Sequence, residues 1–419
     1  MVALVINSIV GSGIFGLPSA VAGLLGRASP LAVLLAGAGV GVILACYAEV
    51  GSQFTATGGT YLYLQRAFGR FVGVQVGWMW LLVRLTACAA SVNLFVAYLG
   101  EFWPGATQPL AKLLVNTLLV GGLAAVNCRG VGGGAWVSNA TVVAKLLPLA
   151  VLAAAGAVWL TLHPPVTPAA AGASPAGGWI KATLLLLFAY GGYETALAPA
   201  GEARDPRRDV AFALFVALIV VTALYSVLQL LVVSLLSDPA HSARPLADVA
   251  RVLLPGRAGA AFISLGALLS VYGFISANLL AVPRTLFALA ERGDFPAVFA
   301  AVHPRWRTPY VSITVFALLV WLAAELASFS WNVTLSAVSR LFYYAAVCAA
   351  VPVLRRTQPD AGSFRVPGGP LLPACGVAIC VVLVTGVDFT QSVVLVATVG
   401  LALINWLAVK ARPAPRAGG

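Results

Sequence analysis

Two apolar segments of this 419-residue chain are interrupted by small residues at similar depths. Gly11, Ser12 and Gly13 follow the start of the first segment by about ten residues, and Gly191 and Gly192 follow the start of the sixth by about twelve. Glycine tolerates unwound backbone, and unwound backbone at membrane depth is stable only where it lines a polar cavity or is buried in protein. Matching interruptions in the two halves of a membrane protein indicate a transport site.

The backbone groups freed by such interruptions could bind a zwitterion. A half-helix that starts after Gly13 would direct its free amides and the positive end of its dipole at the cavity, which suits a carboxylate. The carbonyls freed around Ile9, Phe188 and Gly191 would suit an ammonium group. Together they describe a receptor for the backbone of an amino acid. Close helix packing explains the same glycines equally well, because GxG and GG are common in membrane helices.

The composition of the chain points to the membrane. It is 61% hydrophobic and only 9% charged, whereas soluble domains carry about a quarter charged residues. The apolar fraction corresponds to about twelve helical spans of about 20 residues each, so we predict an all-α polytopic membrane protein. The 25 Lys and Arg residues are scattered singly between apolar runs, which fits membrane topology and not nucleic-acid binding.

Hydropathy divides the chain into segments that all belong to one transmembrane domain over residues 1–419. The low-complexity segment Pro164–Gly178 is predicted to be an outer linker between a first repeat over 1–162 and a second over 179–354, with two further helices over 371–409. The twelve predicted spans are 2–26, 30–54, 71–99, 109–127, 138–162, 179–201, 210–236, 258–289, 309–328, 332–354, 371–387 and 391–409.

The basic residues predict the orientation of these spans. A cytoplasmic N-terminus assigns 16 Lys and Arg residues to the inner loops and 6 to the outer loops, and leaves Arg84, Lys145 and Arg340 within spans. Inner loops of membrane proteins carry an excess of Lys and Arg. We therefore expect a multi-pass protein of a prokaryotic inner membrane with both termini in the cytoplasm.

Cysteine and histidine residues give no sign of a metal or disulfide framework. The six cysteines lie in or beside apolar segments without a CxxC pair, and the three histidines are far apart without HExxH spacing. We expect no disulfide, no metal and no cofactor. A membrane enzyme is not expected either, because no nucleophile, metal or carboxylate constellation is recognisable.

Five segments resemble the amino acid-polyamine-organocation permeases. They occur in the family's order and cover nearly the whole chain. Within that superfamily the chain is similar to bacterial amino acid permeases, to the arginine/agmatine antiporter and to the L-type transporters. The segments are NSIVGSGIFGLP at 7–18, AEVGSQFTATGGTYLYLQRAFG at 48–69, FAYGGYETALAPAGEARDPRRD at 188–209, PRTLFALAERGDFP at 283–296 and RVPGGPLLP at 365–373.

The resemblance implies a LeuT-type fold and a site in the middle of the membrane. Ten helices would form a five-plus-five inverted repeat with broken helices 1 and 6, and two more would follow. Ser12 and Gly13, next to Gly11, would bind the substrate carboxylate, and the carbonyls of Ile9, Phe188 and Gly191 would receive its amino group.

Aromatic residues are candidates for the walls of that site. Phe188 matches the aromatic position that closes over the substrate in the antiporter, where that relative has Trp. Tyr272 in the eighth span is a candidate for the opposite wall, and Tyr190 lies beside the second interruption. For Tyr190 and Tyr272, ordinary helix packing is an equally good explanation.

Charged residues within spans are costly, so each needs a reason. Lys145 resembles the family position where a lysine ammonium replaces the second sodium ion of sodium-coupled relatives. It could couple transport to protons, act as a fixed cation, or extend to the inner interface. Glu194 could be a proton carrier or a hydrogen-bond anchor of the interrupted segment. Arg84 and Arg340 have no assignable partner, although carbonyls and Glu194 are candidates.

Other acidic residues, Glu49 and those of the cluster over 202–208, lie at predicted inner helix ends. A solvated topology role or an inner-gate role suits them better than contact with substrate. The predicted outer loop Gly100–Ala111 holds no cysteine, so we expect no disulfide-linked ancillary subunit.

The predicted function is amino acid transport by alternating access, with the lipid bilayer as surroundings. Two modes stay open, proton symport and exchange of one amino acid for another. No acidic residue stands out in the first or third span to recognise a cationic side chain, which favours neutral amino acids. The alternative is a transporter of polyamines, other organic cations or cationic amino acids. A channel or sensor is a further alternative, but a sensor would be expected to carry an appended soluble domain.

Overall fold

The computed structural model describes residues 1–54, 59–130, 134–163, 176–196, 206–254, 256–358 and 364–410. Most of the predicted linker and the cluster over 202–205 lie outside these ranges. The described residues form α-helices with short 3-10 turns and contain no β-strand. The helices are α1 (Val2–Ile9), α2 (Ser12–Leu25), α3 (Ser29–Ser52), α4 (Gly59–Phe68), α5 (Arg70–Leu99), α6 (Pro109–Arg129), α7 (Gly134–Leu162), α8 (Ala176–Tyr190), α9 (Tyr193–Ala196), α10 (Pro206–Leu235), α11 (Pro245–Leu253), α12 (Ala258–Glu291), α13 (Tyr310–Leu326), α14 (Phe329–Thr357), α15 (Leu371–Val384) and α16 (Phe389–Val409).

Eight stretches of helix in the described part of the chain are long and apolar enough to cross a membrane. One of them, Ser12–Ser52, covers α2 and α3 together, and α13 and α15 are shorter apolar helices. The described residues therefore agree with the predicted multi-pass, helical membrane protein. The helix ends lie within four residues of the predicted span edges, apart from the end of the sixth span, which falls outside the described residues.

The interruption of the first apolar segment lies earlier than the sequence predicted. The chain leaves the helix at Val10 and Gly11, while Ser12 and Gly13 already belong to the first turn of α2. The reason is that Gly13 serves close packing: a Cβ there would lie 2.7 Å from the Ala189 Cα of α8. The second interruption separates α8 from α9 at Gly191 and Gly192.

Hydrogen bonds between distant helices hold the central helices in register. Tyr98 of α5 donates to the Phe15 carbonyl of α2 at 2.8 Å, and Ser336 of α14 donates to the Val83 carbonyl of α5 at 3.1 Å. Gln229 of α10 donates to the Pro18 carbonyl at 3.1 Å. The donors are side chains because backbone N–H groups within a helix are already paired. The acceptors are backbone carbonyls. These bonds tie α2 to α5 and α10, and α5 to α14.

A second group of polar residues joins α5 to the segment after α12. Asp294 accepts from Arg70 at 2.6 Å and from Tyr61 of α4 at 2.6 Å. Burial, together with the hydrogen bond to Asp294, raises the pKa of the Tyr61 phenol, so the phenol stays a donor. Asn405 of α16 donates to the Asp294 backbone carbonyl at 2.8 Å. The helices α4, α5, α12 and α16 are thereby tied together at one end of the bundle.

Candidate functional site

The two helix interruptions touch each other. Gly192 has φ +114°, a left-handed conformation that L side chains rarely adopt. A Cβ at this position would also overlap the carbonyl oxygen of Ser8 in α1. Glycine is therefore required at residue 192 for two independent reasons. The contact brings the end of α1 and the start of α9 to one place.

The start of α2 presents unpaired amides. Its N-cap is Gly11, and no side chain caps the first turn, so the first N–H groups lack helical partners. Ser12 is buried, and its Oγ lies 3.0 Å from the Ser91 Oγ of α5. A Cβ on Gly11 would meet only the Ile9 carbonyl oxygen, at 3.9 Å. This turn has the geometry of an anion-binding helix N-terminus.

Lys145 holds the end of α1. Its ammonium lies 2.5 Å from the Asn7 carbonyl oxygen and 2.7 Å from the Val10 carbonyl oxygen, and the residue is buried. Both carbonyls belong to the last turn of a helix or to its cap, where the dipole favours a cation. Lys145 on α7 therefore donates hydrogen bonds to carbonyls near that of Ile9 in sequence. The Ile9 carbonyl itself lies 3.5 Å from the Tyr225 hydroxyl.

Glu194 is buried one residue into α9 and is hydrogen-bonded by uncharged donors. Its Oε2 accepts from the Gly192 N–H at 2.9 Å and from the Tyr344 hydroxyl at 3.3 Å. Its Oε1 accepts from the Tyr343 hydroxyl at 3.3 Å. This is the geometry of a hydrogen-bond anchor for the second interruption, one of the two roles considered for Glu194.

Arg340 of α14 lies against the same interruption. Its Nε is 3.6 Å from Glu194 Oε1, and its guanidinium carbon is 5.9 Å from the centre of the Phe188 ring. A Cβ on Gly191 would overlap this guanidinium, so Gly191 leaves room for a cation. The sequence suggested Glu194 as a partner but did not assign it. In the sequence, the one local indication of this contact was that residue 191 is a glycine.

The predicted acceptors of a substrate amino group differ in their surroundings. The Phe188 carbonyl accepts from the Gly191 N–H at 3.1 Å, and both residues lie beside the Arg340 cation. A guanidinium repels an ammonium group at short range. The Ile9 carbonyl accepts from the Tyr225 hydroxyl and lies, in sequence, between the two carbonyls that bind the Lys145 ammonium.

The two tyrosine candidates lie in different environments. Tyr190 is buried, donates to the Val33 carbonyl of α3 at 3.0 Å and packs against Tyr225, which is a helix-packing role. Tyr272 is 40% exposed on α12, whereas Val271 and Ile275 are buried. The buried face of α12 thus turns Tyr272 outward. Within the described residues, no hydrogen bond or ring contact joins Tyr272 to the other predicted site residues.

A small cavity adjoins the site. It has a volume of about 10 Å³ and is lined by Gly13, Ala189, Tyr225 and Gln229, among others. This volume is about that of one water molecule. An amino acid does not fit there, so binding beside Gly13 requires the helices to move.

Comparison with known proteins agrees with this architecture. The amino acid permease family matches residues 1–409 of the chain. The chain belongs to the amino acid permease family. Interrupted helices that meet in the interior, as in this permease, are a recurrent arrangement for sites in membrane transporters.

Several transporters are similar to this permease over most of its length. The serine/threonine exchanger of Bacillus subtilis (strain 168) is 28% identical over 390 residues, which are 90% of this chain and 86% of the relative. The branched-chain amino acid permease of the same strain is 25% identical over 416 residues, 93% and 87% of the two chains. The cationic amino acid transporter 4 of Mus musculus is 27% identical, over 87% of this chain and 60% of the relative.

Glu49 of the permease is buried and paired, not solvated. It is buried near the end of α3 and accepts from Arg355 Nε at 2.6 Å, Arg355 Nη2 at 2.7 Å and the Val366 N–H at 2.8 Å. A solvated topology role is therefore wrong for Glu49. Arg355 donates further to the carbonyls of Val366 and Gly369, which ties α3 and α14 to the segment before α15.

Proposed function

We propose that this permease moves amino acids across a prokaryotic inner membrane by alternating access. In this proposal the chain crosses the bilayer twelve times, with repeats over 1–162 and 179–354, two helices over 371–409 and both termini in the cytoplasm. The contact between the interruptions at Ser8 and Gly192 is the observation that carries the proposal. It supports a shared site, because unwound backbone in a membrane is kept where it serves binding.

The carboxylate of the substrate would bind the first turn of α2. The unpaired amides there and the Ser12 hydroxyl supply donors, and the helix dipole adds a favourable potential. The substrate amino group would bind the Ile9 carbonyl. Phe188 would form a wall of the substrate site, since its ring lies beside Gly13. A Cβ built on Gly13 would be 3.4 Å from the Phe188 Cδ1.

Lys145 would act in this cycle as a fixed cation. It binds two carbonyls at the end of α1, and such carbonyls favour the charged ammonium. Its ammonium also joins α1 to α7, so a movement of α1 is transmitted to α7. A permanently charged Lys145 supports exchange. The similarity to a serine/threonine exchanger supports exchange as well.

Neutral amino acids are the proposed substrates. Lys145 and Arg340 both lie beside the interruptions, and each would repel a cationic side chain. The similarity to serine/threonine and branched-chain carriers agrees with neutral substrates. A second candidate, transport of cationic amino acids, is favoured by the similarity to the transporter of Mus musculus.

Transport by purified protein in liposomes tests the proposal. We expect labelled serine, threonine or leucine to enter vesicles preloaded with unlabelled amino acid much faster than empty vesicles. Uptake into empty vesicles driven by an inward proton gradient would replace exchange with proton symport. Uptake of arginine or lysine alone would favour the second candidate, and no uptake of any amino acid would overturn the proposal.

A pair of serine variants on α2 tests the binding site. Ser12→Ala removes a proposed donor to the carboxylate and should weaken substrate binding about tenfold, as expected for one hydrogen bond to a charged group. Ser19→Ala lies two turns further along the same helix and should bind normally. Equal affinity of both variants would remove Ser12 from the site.

A further inference from the structure

Two arginines share the interior of the bundle, and Glu194 is the one described carboxylate that interacts with both of them. Arg84 of α5 and Arg340 of α14 are 7% and 3% exposed, and Arg84 interacts electrostatically with both Arg340 and Glu194. Ser336, one turn before Arg340, donates to the carbonyl of Val83, so the two arginines lie at the same level. The group carries one excess positive charge within the membrane, where an unbalanced charge is costly.

The carboxylate does not use up the donors of these arginines. Both oxygens of Glu194 accept from Gly192, Tyr343 and Tyr344, and Arg340 Nε is 3.6 Å away, beyond hydrogen-bond distance. Arg340 Nε, Arg340 Nη1 and Arg84 Nη2 are buried without a hydrogen-bond partner among the described residues. Buried donors of a charged group are normally satisfied, so their acceptor is a group that binds here.

We propose that Arg84 and Arg340 form a binding site for a small monovalent anion. Guanidinium groups bind such an anion through charge-assisted hydrogen bonds, and one negative charge balances the group. Phe188 and Gly191 border the site, because the Arg340 guanidinium packs on the ring of Phe188 and occupies the space that a side chain at Gly191 would fill. The anion therefore binds next to the second interruption.

Two sources could supply this anion. One is a free halide such as chloride, held while the permease works. The other is the side-chain carboxylate of an acidic amino acid, which would widen the proposed substrate class. Both carry one negative charge and accept hydrogen bonds from guanidinium groups. The site itself does not depend on the proposed transport function, because binding can be measured on purified protein without transport.

Thermal unfolding in detergent tests the halide. Sodium chloride is compared with sodium gluconate, whose anion is too bulky for a buried site, at equal ionic strength. Chloride should raise the unfolding temperature of the wild-type permease and of Arg27→Gln, an exposed control. A ligand that binds only the folded state stabilises it. The shift should be lost in Arg84→Gln.

Titration with amino acids in gluconate tests the carboxylate. L-glutamate or L-aspartate should stabilise the wild type, and Arg84→Gln should lower their affinity at least about tenfold, as expected for the loss of a charge-assisted hydrogen bond. The affinity for L-glutamine, which is equal in size but has an uncharged side chain, should not change in Arg84→Gln. A shift with chloride alone assigns the site to a free anion, and a shift with glutamate or aspartate alone assigns it to a substrate side chain.

A double variant controls for folding. Arg340→Gln alone removes a cation that lies beside the buried Glu194 carboxylate. The double variant Arg340→Gln with Glu194→Gln removes the cation and the carboxylate together. This protein should fold and show no anion-dependent shift. If neither chloride nor acidic amino acids stabilise the wild type, or if Arg84→Gln keeps the full shift, the anion site is wrong. Uptake of neutral amino acids would then still stand, so the two proposals fail separately.

Discussion

Helix α14 carries two arginines that pair with buried carboxylates in opposite ways. Arg355 binds Glu49 through two nitrogens at 2.6 and 2.7 Å, and the Val366 N–H adds a third donor. We call Glu49 and Arg355 the Glu49 pair. Arg340 approaches Glu194 only to 3.6 Å and keeps two buried nitrogens without a partner among the described residues. We call the latter two residues the Glu194 pair.

The difference separates structural charges from charges available to a ligand. In the Glu49 pair every strong interaction is made within the protein, since Arg355 also donates to the carbonyls of Val366 and Gly369. A fork that binds a carboxylate with both nitrogens leaves little capacity for anything else. In the Glu194 pair the carboxylate is satisfied by uncharged donors, so the arginine is held by packing and its donors stay available.

The largest effect should follow from breaking the Glu49 pair. Glu49→Ala leaves Arg355 and the Val366 N–H without their acceptor. The expected loss of stability is about 3 kcal/mol, at the lower end of the cost of breaking a buried ion pair because Arg355 is partly exposed. Thermal or denaturant unfolding in detergent measures it, with the exposed Glu291→Ala as control. A loss no larger than that of the control would mean that the Glu49 pair is not a structural tie.

Gly192 positions the Glu194 pair, so a change there should rank second. Gly192→Ala forces a side chain into a left-handed conformation and against the Ser8 carbonyl. We expect a loss of about 2–3 kcal/mol, with amino acid transport abolished, because strained backbone of this kind costs on that order. Gly121→Ala on α6, where a Cβ meets no atom within 4 Å, is the matched control and should be neutral or slightly stabilising. An active, stable Gly192→Ala protein would contradict the contact between the interruptions.

Exchanging each arginine for methionine compares the pairs directly. Arg355→Met should cost about 3 kcal/mol, because it leaves a buried carboxylate without its cation. Arg340→Met should cost only about 1 kcal/mol, since Glu194 keeps three uncharged donors and repulsion from Arg84 is relieved. Both unfolding temperatures are measured in the same detergent. The reverse order would show that the longer pair is the stronger one and would remove the distinction drawn above.

The helices could be predicted because each requires only a local signal. Runs of apolar residues longer than about 18 define membrane helices, and the predicted edges agree with the structure to within a few residues where it is described. The interruption at Gly191 and Gly192 was visible for the same reason. Gly13 was misplaced, because a glycine that allows close packing and a glycine that unwinds a helix look alike in sequence.

Contacts between distant segments could not be predicted in this way. Lys145 was recognised as a significant charge, but its acceptors Asn7 and Val10 are 138 and 135 residues away, and only the tertiary structure brings them together. The exposure of Tyr272 could not be predicted either. The sequence places it on a helix, yet the rotation of α12 about its axis, which neighbouring helices set, decides that it is exposed.

The smallest effect should come from the two tyrosines that donate hydrogen bonds to Glu194. Tyr343→Phe and Tyr344→Phe each remove one hydrogen bond of 3.3 Å to Glu194. We expect each to cost about 0.5–1 kcal/mol, the net value of a typical hydrogen bond. The double variant should cost more than the sum, because the carboxylate then keeps only the Gly192 N–H and must turn toward Arg340.

That turn gives the tyrosine variants a second readout. If Glu194 moves to within hydrogen-bond distance of Arg340, the arginine donors become occupied and the double variant should bind chloride or glutamate more weakly than wild type. Tyr310→Phe, an exposed tyrosine of α13, should change neither stability nor anion binding. Unchanged anion binding in the double variant, together with lost stability, would mean that the tyrosines support the fold but do not keep Glu194 away from Arg340. The donors of Arg340 would then be kept available by the packing of Phe188 and Gly191 alone.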